Sequence, residues 1–543
     1  MPKVNAYLEC QSREQAEKLW WQRLTAIGYF DSLPAEEILI DDSLGRVTES
    51  SVYARQSVPH YNGAAMDGIA VRAQDTFGAG ETTPKKLKLL KPGEQFVTGS
   101  CYIVDTGDLL PAGTNAVIMV EDIHIADGYA QIIAAATPWQ HVRIIGEDIA
   151  DNEIVLPEHH LISPPDIAAL LAAGLEKVKV LVTPRVTVIP TGTELVNSFD
   201  QLQPGAILDV NSHMLCAAMA AWGGRPNRHP IIPDDYERLK AAVAASLKTS
   251  DMVITNAGTS AGTEDFTSRV LGELGEVLVH GVAIRPGKPV VLAICQGKPV
   301  IGLPGYPVSA MLTAELFVKP VLLARQKLSA PPEKIIPAFM VRQVYSNIGT
   351  EEYLRVTVAN VKGRTVAAPL GRGAGLISSL TKAQGMVVID REKSGLPAGA
   401  EVEVRLLGNC RPENNILSVG SHDLALDVLG IFVKRRLGLE LSCANVGSMG
   451  GVMAIRNNEA HIAGVHILDA SGEYNIPCLR KYLADRSWLL VHMAMREQGL
   501  IVRPGNPKNI RNITDLTRPD ILYVNRQRGA GTRMLLDYRL TKL

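Results

Sequence analysis

The feature that most constrains the fold is a regular alternation of short apolar runs and longer helical segments in the middle of the chain. The predicted strands are residues 185–190, 251–256, 289–294 and 299–303, and the predicted helices are residues 214–222, 234–247 and 308–323. Such alternation predicts a mainly parallel sheet with helices on both faces. Ligands of these sheets bind in loops beyond the carboxyl ends of the strands. These loops are therefore the first place to look for a function.

The pattern changes on both sides of this region, so the predicted fold class is α/β multidomain. A chain of 543 residues has room for about three to five domains. Helices are predicted at residues 12–30 and near 34–38. The predicted domains are a discontinuous helical and linker domain (1–51 and 146–182), an inserted β-rich module (52–145), a central α/β domain (183–328), a small β domain (335–408) and a C-terminal α/β domain (414–543).

Composition excludes several classes of protein. The 55 basic and 56 acidic residues give a formal net charge of −1, which argues against a protein that coats nucleic acid. The seven cysteines form no CxxC pair, so a disulfide framework or structural zinc site is not expected. The sequence contains neither a secretory signal nor a run of about 18 apolar residues. We therefore expect a cytoplasmic protein with no membrane or nucleic-acid partner.

Four loops of the central region combine glycine with hydroxyl, acidic or basic side chains. Glycine lets backbone N–H groups approach phosphate oxygens, and a carboxylate could hold a divalent cation that bridges phosphates. The alternative for any single loop is an ordinary turn between a strand and a helix. The candidate residues are Thr191, Gly192, Glu194, Gly258, Ser260, Asp265, Arg285, Lys288, Pro304 and Ser309.

Three further sites lie earlier in the chain. Asp67 precedes Gly68 within a run of small and apolar residues, and Thr106 and Asp148 each adjoin a similar glycine-containing turn. Either reading fits these positions: a simple turn, or a polar group directed at a metal or a basic ligand.

Taken in order, these segments resemble the molybdopterin molybdenumtransferase family, the bacterial counterparts of the C-terminal region of gephyrin, over residues 12–408. The motifs are Ala65-Met66-Asp67-Gly68, Thr106-Gly107, Gly146-Glu147-Asp148-Ile149, Thr191-Gly192-Thr193-Glu194-Leu195, Gly258-Thr259-Ser260-Ala261-Gly262, Pro286-Gly287-Lys288-Pro289 and Gly302-Leu303-Pro304-Gly305-Tyr306-Pro307-Val308-Ser309. Four positions depart from the family pattern. It usually has Asp where this chain has Thr193 and Asn where it has Tyr306, a small residue is common where this chain has Asp108, and Lys is frequent where it has Arg285.

The resemblance implies an elongated homodimer that inserts molybdate into adenylylated molybdopterin and releases AMP, with Mg²⁺ or a similar cation. A molybdopterin adenylyltransferase would hand over the substrate. By the same resemblance, Asp67 and Glu194 are the expected catalytic residues, and Glu194, Asp265 and Asp148 the expected metal ligands. The remaining candidates are expected to bind substrate: Thr106, Thr191, Gly192, Gly258, Ser260, Arg285, Lys288, Pro304 and Ser309. Asp67 is expected to reach the site from the partner subunit.

The C-terminal region looks like a different kind of protein. Its motifs are Val419-Gly420-Ser421-His422-Asp423, Val446-Gly447-Ser448-Met449-Gly450-Gly451, Ala463-Gly464-Val465-His466-Ile467-Leu468-Asp469 and Arg526-Gln527-Arg528-Gly529-Ala530-Gly531-Thr532-Arg533, and they are similar to a periplasmic-binding-protein domain. Ser421 and Ser448 are the expected contacts for a molybdate-like or pterin-related ligand. The alternative is a lobe kept only for packing. The chain stops soon after Arg533, so we expect an incomplete second lobe.

Two other functions remain open from the sequence. One is the preceding adenylyl transfer, because that enzyme family shares a related α/β domain. The other is a non-catalytic sensor or scaffold that binds molybdate or a pterin through the C-terminal domain. The β-rich module around Asp67 and the loops at Lys288 and Pro304 favour molybdenum insertion.

Overall fold

A computed structural model describes residues 10–31, 33–256, 266–527 and 530–543. The first part of the chain, up to residue 182, is mainly strands. Its elements are α1 (Arg13–Ala26), β1 (Ala35–Leu39), β2 (Val52–Tyr53), β3 (Gly63–Ala64), β4 (Gly68–Val71), α2 (Ala73–Thr76), β5 (Lys85–Leu90), β6 (Ser100–Val104), β7 (Ala116–Met119), β8 (Ile123–Ala126), β9 (Tyr129–Ile132), β10 (Val142–Arg143), β11 (Ile154–Leu156), α3 (Pro164–Ala172) and β12 (Lys177–Leu181).

The predicted β-rich module is a six-stranded sheet in the order β7-β4-β6-β5-β9-β8. Its core contains Ile69, Leu87, Ile118 and Ile132, which are at most 4% exposed. Within this sheet β4 is antiparallel to both β6 and β7, and Gly68 pairs with Met119. The sheet thus fixes the backbone that follows Asp67.

The predicted helix near residues 34–38 is wrong, because this segment is the strand β1. It pairs antiparallel with β12, so that Ile38 lies opposite Val178. Val178 belongs to a small core that Ile38 packs against. The pairing is with a segment about 140 residues away in the chain, and such tertiary contacts override local preference in short segments.

Helix α1 belongs to the core of the α/β domain. Trp20 and Leu24 are buried in one cluster with Val186 and Phe317, and Trp20 Nε1 donates to the Phe317 carbonyl at 3.2 Å. Residues 10–30 were predicted to share a domain with residues 146–182. Residues of the 146–182 segment instead form a separate core with Ile40.

The α/β domain follows, with one mixed sheet. Its elements are β13 (Arg185–Pro190), β14 (Leu195–Val196), β15 (Ile207–Leu208), α4 (Asn211–Ala221), β16 (Arg225–Arg228), α5 (Tyr236–Thr249), β17 (Met252–Asn256), α6 (Phe266–Leu274), β18 (Gly275–His280), β19 (Ile284–Arg285), β20 (Val291–Cys295), β21 (Lys298–Leu303), α7 (Pro307–Phe317) and α8 (Lys319–Arg325). The strand order is β16-β13-β17-β21-β20-β18. The first four strands are parallel, and β20 and β18 complete the sheet with antiparallel pairings.

In the described part of the chain, one helical stretch is long and apolar enough to cross a membrane. It spans Pro307–Arg325, and 56% of its most apolar window is buried within the protein. Val308, Leu312 and Phe317 are at most 3% exposed, and the last two belong to the α/β core. These contacts are those of a core helix.

The small β domain closes into a ring. Its elements are β22 (Ile335–Met340), β23 (Val344–Tyr345), β24 (Glu351–Val361), β25 (Arg364–Pro369), α9 (Ser378–Lys382), β26 (Gly385–Ile389), β27 (Gly395–Leu396) and β28 (Glu401–Leu406). Strand β24 pairs with β25 on one side and with β26 on the other. Strand β22 pairs with β25 and β28, and β28 pairs with β26, which closes the ring. Strand β19 of the α/β domain adds to the edge of β24.

The C-terminal region begins with two parallel strands. Its elements are β29 (Asn415–Gly420), α10 (Leu424–Leu437), β30 (Glu440–Asn445), α11 (Gly447–Arg456), α12 (Ile476–Tyr482) and α13 (Gly531–Thr541). Residues 487–512 contain no helix or strand, so the predicted alternation of strands and helices ends with α12.

A shared core docks this region onto the small β domain. Leu417 and Val419 are buried in one cluster with Ala359 and Val366. The buried Asn415 amide donates to the Val358 carbonyl at 2.7 Å and to Gln384 Oε1 at 2.9 Å.

Candidate active site

Four segments of the α/β domain meet at one edge of the sheet. Strands β13, β17 and β21 are parallel neighbours, so their carboxyl ends lie side by side. Strand β20 runs the opposite way, and its first residue, Val291, pairs with Gly302 near the end of β21. The loops at Thr191 and Pro304 and the loop that carries Lys288 therefore border the same edge. We call it the loop edge.

Buried hydrogen bonds tie the loops of this edge together. Thr191 is 2% exposed, and both its backbone N–H and its hydroxyl donate to the Asn256 carbonyl, at 3.0 and 3.2 Å. The Asn256 amide donates to the Pro304 carbonyl at 2.9 Å, and the Asn211 amide donates to the Gly305 carbonyl at 2.6 Å. Breaking such bonds leaves buried acceptors unsatisfied at about 1–3 kcal/mol each. The loops at Thr191 and Pro304 and the end of β17 are consequently held in fixed relative positions.

Glu194 lies exposed in the first loop, and Gly192 makes room for its carboxylate. Gly192 has φ +146°, and a Cβ there would lie 2.8 Å from Glu194 Oε1. In the part of the chain that the structure describes, the Glu194 carboxylate makes no ion pair. An exposed, unpaired carboxylate of this kind can accept a hydrogen bond or contribute one ligand to a cation.

The neighbouring Thr193 binds a second carboxylate. Its N–H donates to Asp234 Oδ2 at 3.0 Å, and its hydroxyl accepts from the Asp234 N–H at 3.1 Å. Thr193 stands where the family usually has Asp. Asp234, about 40 residues later in the chain, therefore places an acidic group beside this position.

Lys288 and Arg285 are both exposed in the loop before β20. The backbone of this loop is packed against α7, because a Cβ on Gly287 would lie 2.6 Å from Thr313 Cγ2. Between the Thr191 and Lys288 loops lie β17 and β21, so the loops are three strand spacings apart, about 14 Å. Glu194 and Lys288 border the same edge but from opposite ends, which suits an elongated ligand better than a single ion.

The start of α7 is covered by a glycine-rich segment of the small β domain. The Val308 N–H donates to the Ala374 carbonyl at 3.1 Å. Behind this segment, the guanidinium of Arg355 is buried and donates to Ser379 Oγ at 2.8 Å and to the Gly371 carbonyl at 3.1 Å. Ser309, in the first turn of α7, is 4% exposed. The small β domain thus closes one side of the loop edge.

Asp67 and Thr106 are brought together although 39 residues separate them. The backbone N–H and the hydroxyl of Thr106 both donate to Asp67 Oδ1, at 2.6 and 2.7 Å. These two bonds, the hydroxyl first, hold the pKa of Asp67 below its ordinary value. A Cβ on Gly68 would lie 1.9 Å from the Ile118 carbonyl oxygen, so glycine is required beside Asp67. The result is an exposed, fully ionised carboxylate on a rigid strand.

Other predicted residues are not joined to this site within one chain. The Asp148 N–H donates to the Val58 carbonyl in the first part of the chain. No hydrogen bond or ion pair between described residues connects Asp67 or Asp148 to the loop edge. Gly258, Ser260 and Asp265 lie outside the described residues.

Glu194 and Asp148, the two predicted metal ligands that the structure describes, belong to no larger cluster of possible ligands. Over residues 10–31, 33–256, 266–527 and 530–543, no group of three or more His, Cys, Asp or Glu side chains could hold a metal ion. Mg²⁺ that bridges phosphates needs only one or two protein carboxylates. Glu194 fits as one such ligand, whereas Asp148 does not join it in the same chain.

The two predicted C-terminal residues are in contact. Ser421 Oγ lies 2.9 Å from Ser448 Oγ, and Ser448 Oγ lies 3.2 Å from His466 Nδ1. Ser421 follows β29 and Ser448 lies in the first turn of α11. Burial, with a smaller contribution from Arg496, lowers the pKa of His466, so its ring is neutral at pH 7.

Several residues that shape the site were missed by the sequence reasoning. Asn211 is the clearest case, because its buried Oδ1 has no hydrogen-bond partner among the residues that the structure describes, while its amide holds Gly305. A polar run just before a helix, Asp209-Val210-Asn211-Ser212, was the available signal. For Arg355 the available signal was a charged residue within an apolar strand.

We predict that Thr106→Val raises the pKa of Asp67 toward its ordinary value, because one of its two hydrogen-bond donors is lost. The lowered pKa keeps Asp67 charged down to more acidic pH, so the variant should gain its proton at higher pH than the parent. Carboxyl NMR titration of Asp67 measures this directly. Thr106→Ser, which keeps the hydroxyl, is the control, and an unchanged titration in Thr106→Val contradicts the assignment.

Family models match four parts of the chain. They are described as the MoeA N-terminal region (domain I and II) at residues 11–174, a probable molybdopterin binding domain at 187–324, the MoeA C-terminal region (domain IV) at 338–407 and a PBP superfamily domain at 431–543.

Individual proteins give the same result. A putative molybdopterin biosynthesis protein of Methanocaldococcus jannaschii is 34% identical over 404 residues, which cover 73% of this chain and 97% of that protein. Molybdopterin molybdenumtransferase 2 of Mycobacterium tuberculosis is 31% identical and covers 66% of this chain and 92% of its own length. A crystal structure of a molybdopterin biosynthesis MoeA protein from Pyrococcus horikoshii matches with TM-score 0.63 and 34% identity, covering 73% of this chain and 99% of its own. This chain therefore belongs to the MoeA family of molybdopterin molybdenumtransferases and carries a further PBP-like domain at its C-terminal end.

Proposed function

We propose that this chain inserts molybdate into adenylylated molybdopterin and releases AMP. The observation that carries the proposal is the loop edge, where buried hydrogen bonds hold the Thr191, Asn256 and Pro304 segments together beside Lys288. An elongated substrate with a diphosphate between two ring systems needs several fixed contacts spread over such a distance. Relatives bearing the name molybdopterin molybdenumtransferase support the reaction class.

In this proposal the cations and glycines of the edge bind phosphate and molybdate. Lys288 and Arg285 attract the negative oxygens, and Gly192 lets the loop backbone come close to them. Thr191, Gly258, Ser260, Pro304 and Ser309 border the rest of the substrate.

The proposed cation is Mg²⁺, held by Glu194 and by substrate phosphates, with Asp265 as a further carboxylate. When bound, it would neutralise charge on the phosphates as the bond to AMP breaks. Asp67, kept ionised by Thr106, orients or deprotonates the water that attacks this bond.

Asp67 is proposed to act on the loop edge of a second copy of the chain. It is exposed, and within one chain no contact between described residues joins it to that edge. A homodimer in which each Asp67 faces the partner's loop edge completes two sites. Asp148, in the same part of the chain as Asp67, would approach the cation in the same way.

Two other functions are the alternatives. A molybdopterin adenylyltransferase would form the adenylylated pterin from ATP, and we propose that such an enzyme hands its product to this one in the cytoplasm. A sensor or scaffold would bind its ligand without releasing AMP. The first part of the chain, which matches the MoeA N-terminal region and carries Asp67, favours insertion over both.

We expect Asp67→Ala and Glu194→Ala each to lower molybdate-dependent AMP release by about 100-fold or more, because each removes a group that acts in the chemical step. The assay follows AMP from purified protein, adenylylated molybdopterin, molybdate and Mg²⁺. Glu37→Ala, which removes an exposed carboxylate far from the loop edge, is the control. Near-parental AMP release in both site variants would rule out the assignment.

A second proposal concerns the PBP-like domain, where Ser421, Ser448 and His466 form a hydroxyl and imidazole cluster. The cluster lies at the carboxyl ends of two parallel strands, where N–H groups of the following helix also point. We propose that it binds a tetrahedral oxyanion of the molybdate type. A pterin-related ligand is the alternative, and a lobe kept only for packing would bind neither.

We expect Ser421→Ala and Ser448→Ala each to bind one molybdate ion fewer per chain than the parent in equilibrium dialysis. Each variant removes a hydroxyl donor from the cluster without touching the loop edge. AMP release at saturating molybdate should stay unchanged. Ser471→Ala, in an exposed turn, is the control. An unchanged number of bound molybdate ions in the two site variants would leave the packing role as the explanation.

A further inference from the structure

The geometry points to a second anion site, in a cleft between the first part of the chain and the α/β domain, that takes a tetrahedral dianion as a free oxyanion or a phosphate monoester. The cleft has a volume of about 400 Å³, which is in the range of small-molecule sites. Its wall carries Glu36 and Arg46 from one side, Thr183 from the connecting segment, and Arg185 and Arg225 from the other.

The charge of the cleft is strongly positive in a chain whose overall charge is −1. Three guanidinium groups face one carboxylate. Arg46 is partly neutralised, because it donates to Glu36 Oε1 at 2.6 Å and to the Leu181 carbonyl at 2.9 Å. The side chains of Arg185 and Arg225 make no ion pair or hydrogen bond with any described residue. Two uncompensated cations therefore border one cavity.

The backbone forces these two arginines to be neighbours. They are register partners on the adjacent parallel strands β13 and β16, so their Cα atoms are about 4.8 Å apart. The Arg185 N–H donates to Asp251 Oδ2 at 2.8 Å, and the Arg225 N–H donates to the Pro184 carbonyl at 2.7 Å. Like charges directly opposite each other destabilise a sheet. An anion between the guanidinium groups removes this cost and accepts their paired N–H donors.

This cleft is separate from the loop edge. Arg185 begins β13 and Pro190 ends it, so five residues of strand, about 17 Å, separate the cleft from the Thr191 loop. Because Arg46 belongs to the first part of the chain and Arg185 to the α/β domain, a bound dianion would also link these two parts. Binding should therefore raise the melting temperature as well as give heat on titration.

The test uses the full chain with Lys288→Ala and Ser448→Ala, which weaken the proposed anion contacts at the loop edge and in the PBP-like domain. Calorimetric titration with inorganic phosphate, AMP and molybdate is expected to show one binding event per chain. Adding Arg185→Ala or Arg225→Ala should weaken it at least tenfold. Lys248→Ala, which removes a cation at the same edge of the sheet outside the cleft, should leave it unchanged. Glu36→Gln should tighten it, because Arg46 is then released to the ligand.

The three titrants separate the sources of the dianion. Tighter binding of AMP than of phosphate assigns a phosphate monoester, and tighter binding of phosphate or molybdate assigns a free oxyanion. If each of the three titrants binds the Arg185→Ala/Arg225→Ala variant as tightly as it binds the parent, the site is overturned. AMP release by Arg185→Ala with native Lys288 should stay normal, so failure of this inference and failure of the proposed reaction give different results.

Discussion

Buried Asn256 is the residue on which the candidate active site depends. Its backbone carbonyl accepts two hydrogen bonds from Thr191, and its side-chain amide donates to the Pro304 carbonyl across the neighbouring strand. Asn256 is 2% exposed, so none of these groups can exchange its partner for water. Loops after parallel strands would otherwise move independently, and a site made of them would lose its geometry. Here the positions of the loops are set by the core of the sheet.

The charged side chains are also placed where the proposed ligands bind. The chain is nearly neutral overall, yet Lys288 and Arg285 border the loop edge and Arg185 and Arg225 border the cleft, and none of the four forms an ion pair with a described residue. A nearly neutral protein can still concentrate positive potential where small anions bind. Asp67 is the counterpart on the negative side, where two donors from Thr106 keep one carboxylate ionised.

Local sequence was sufficient to predict four of the six strands of the central sheet and three helices of the α/β domain, because apolar runs and helical spacing are local signals. It also singled out Asp67 and Thr106, but as separate turns. Their pairing depends on strands β4 and β6 lying side by side, which is a tertiary fact. The same reason explains the error at residues 34–38, where β12 makes a strand of a segment predicted as a helix. Helix α1 packs on Phe317 for the same reason, because this contact joins segments that are far apart in the sequence.

Residues that act through buried contacts were the hardest to recognise. Asn256 and Arg355 look in the sequence like polar residues within strands, and only the fold shows what their side chains hold. The docking of the PBP-like domain through Asn415 likewise depends on a strand about 57 residues away. By contrast, Ser421 and Ser448 were found from their positions after strands, and the fold brings them into contact.

The central claim is that each catalytic site combines the loop edge of one subunit with Asp67 of another. The most direct measurement mixes Asp67→Ala and Glu194→Ala subunits, lets them exchange, and follows AMP release. In a mixed dimer one site retains both groups and the other lacks both. Equimolar exchange should therefore restore about a quarter of the parental rate, although each variant alone is inactive. AMP release that stays at the level of the separate variants, with exchange verified, would contradict the account.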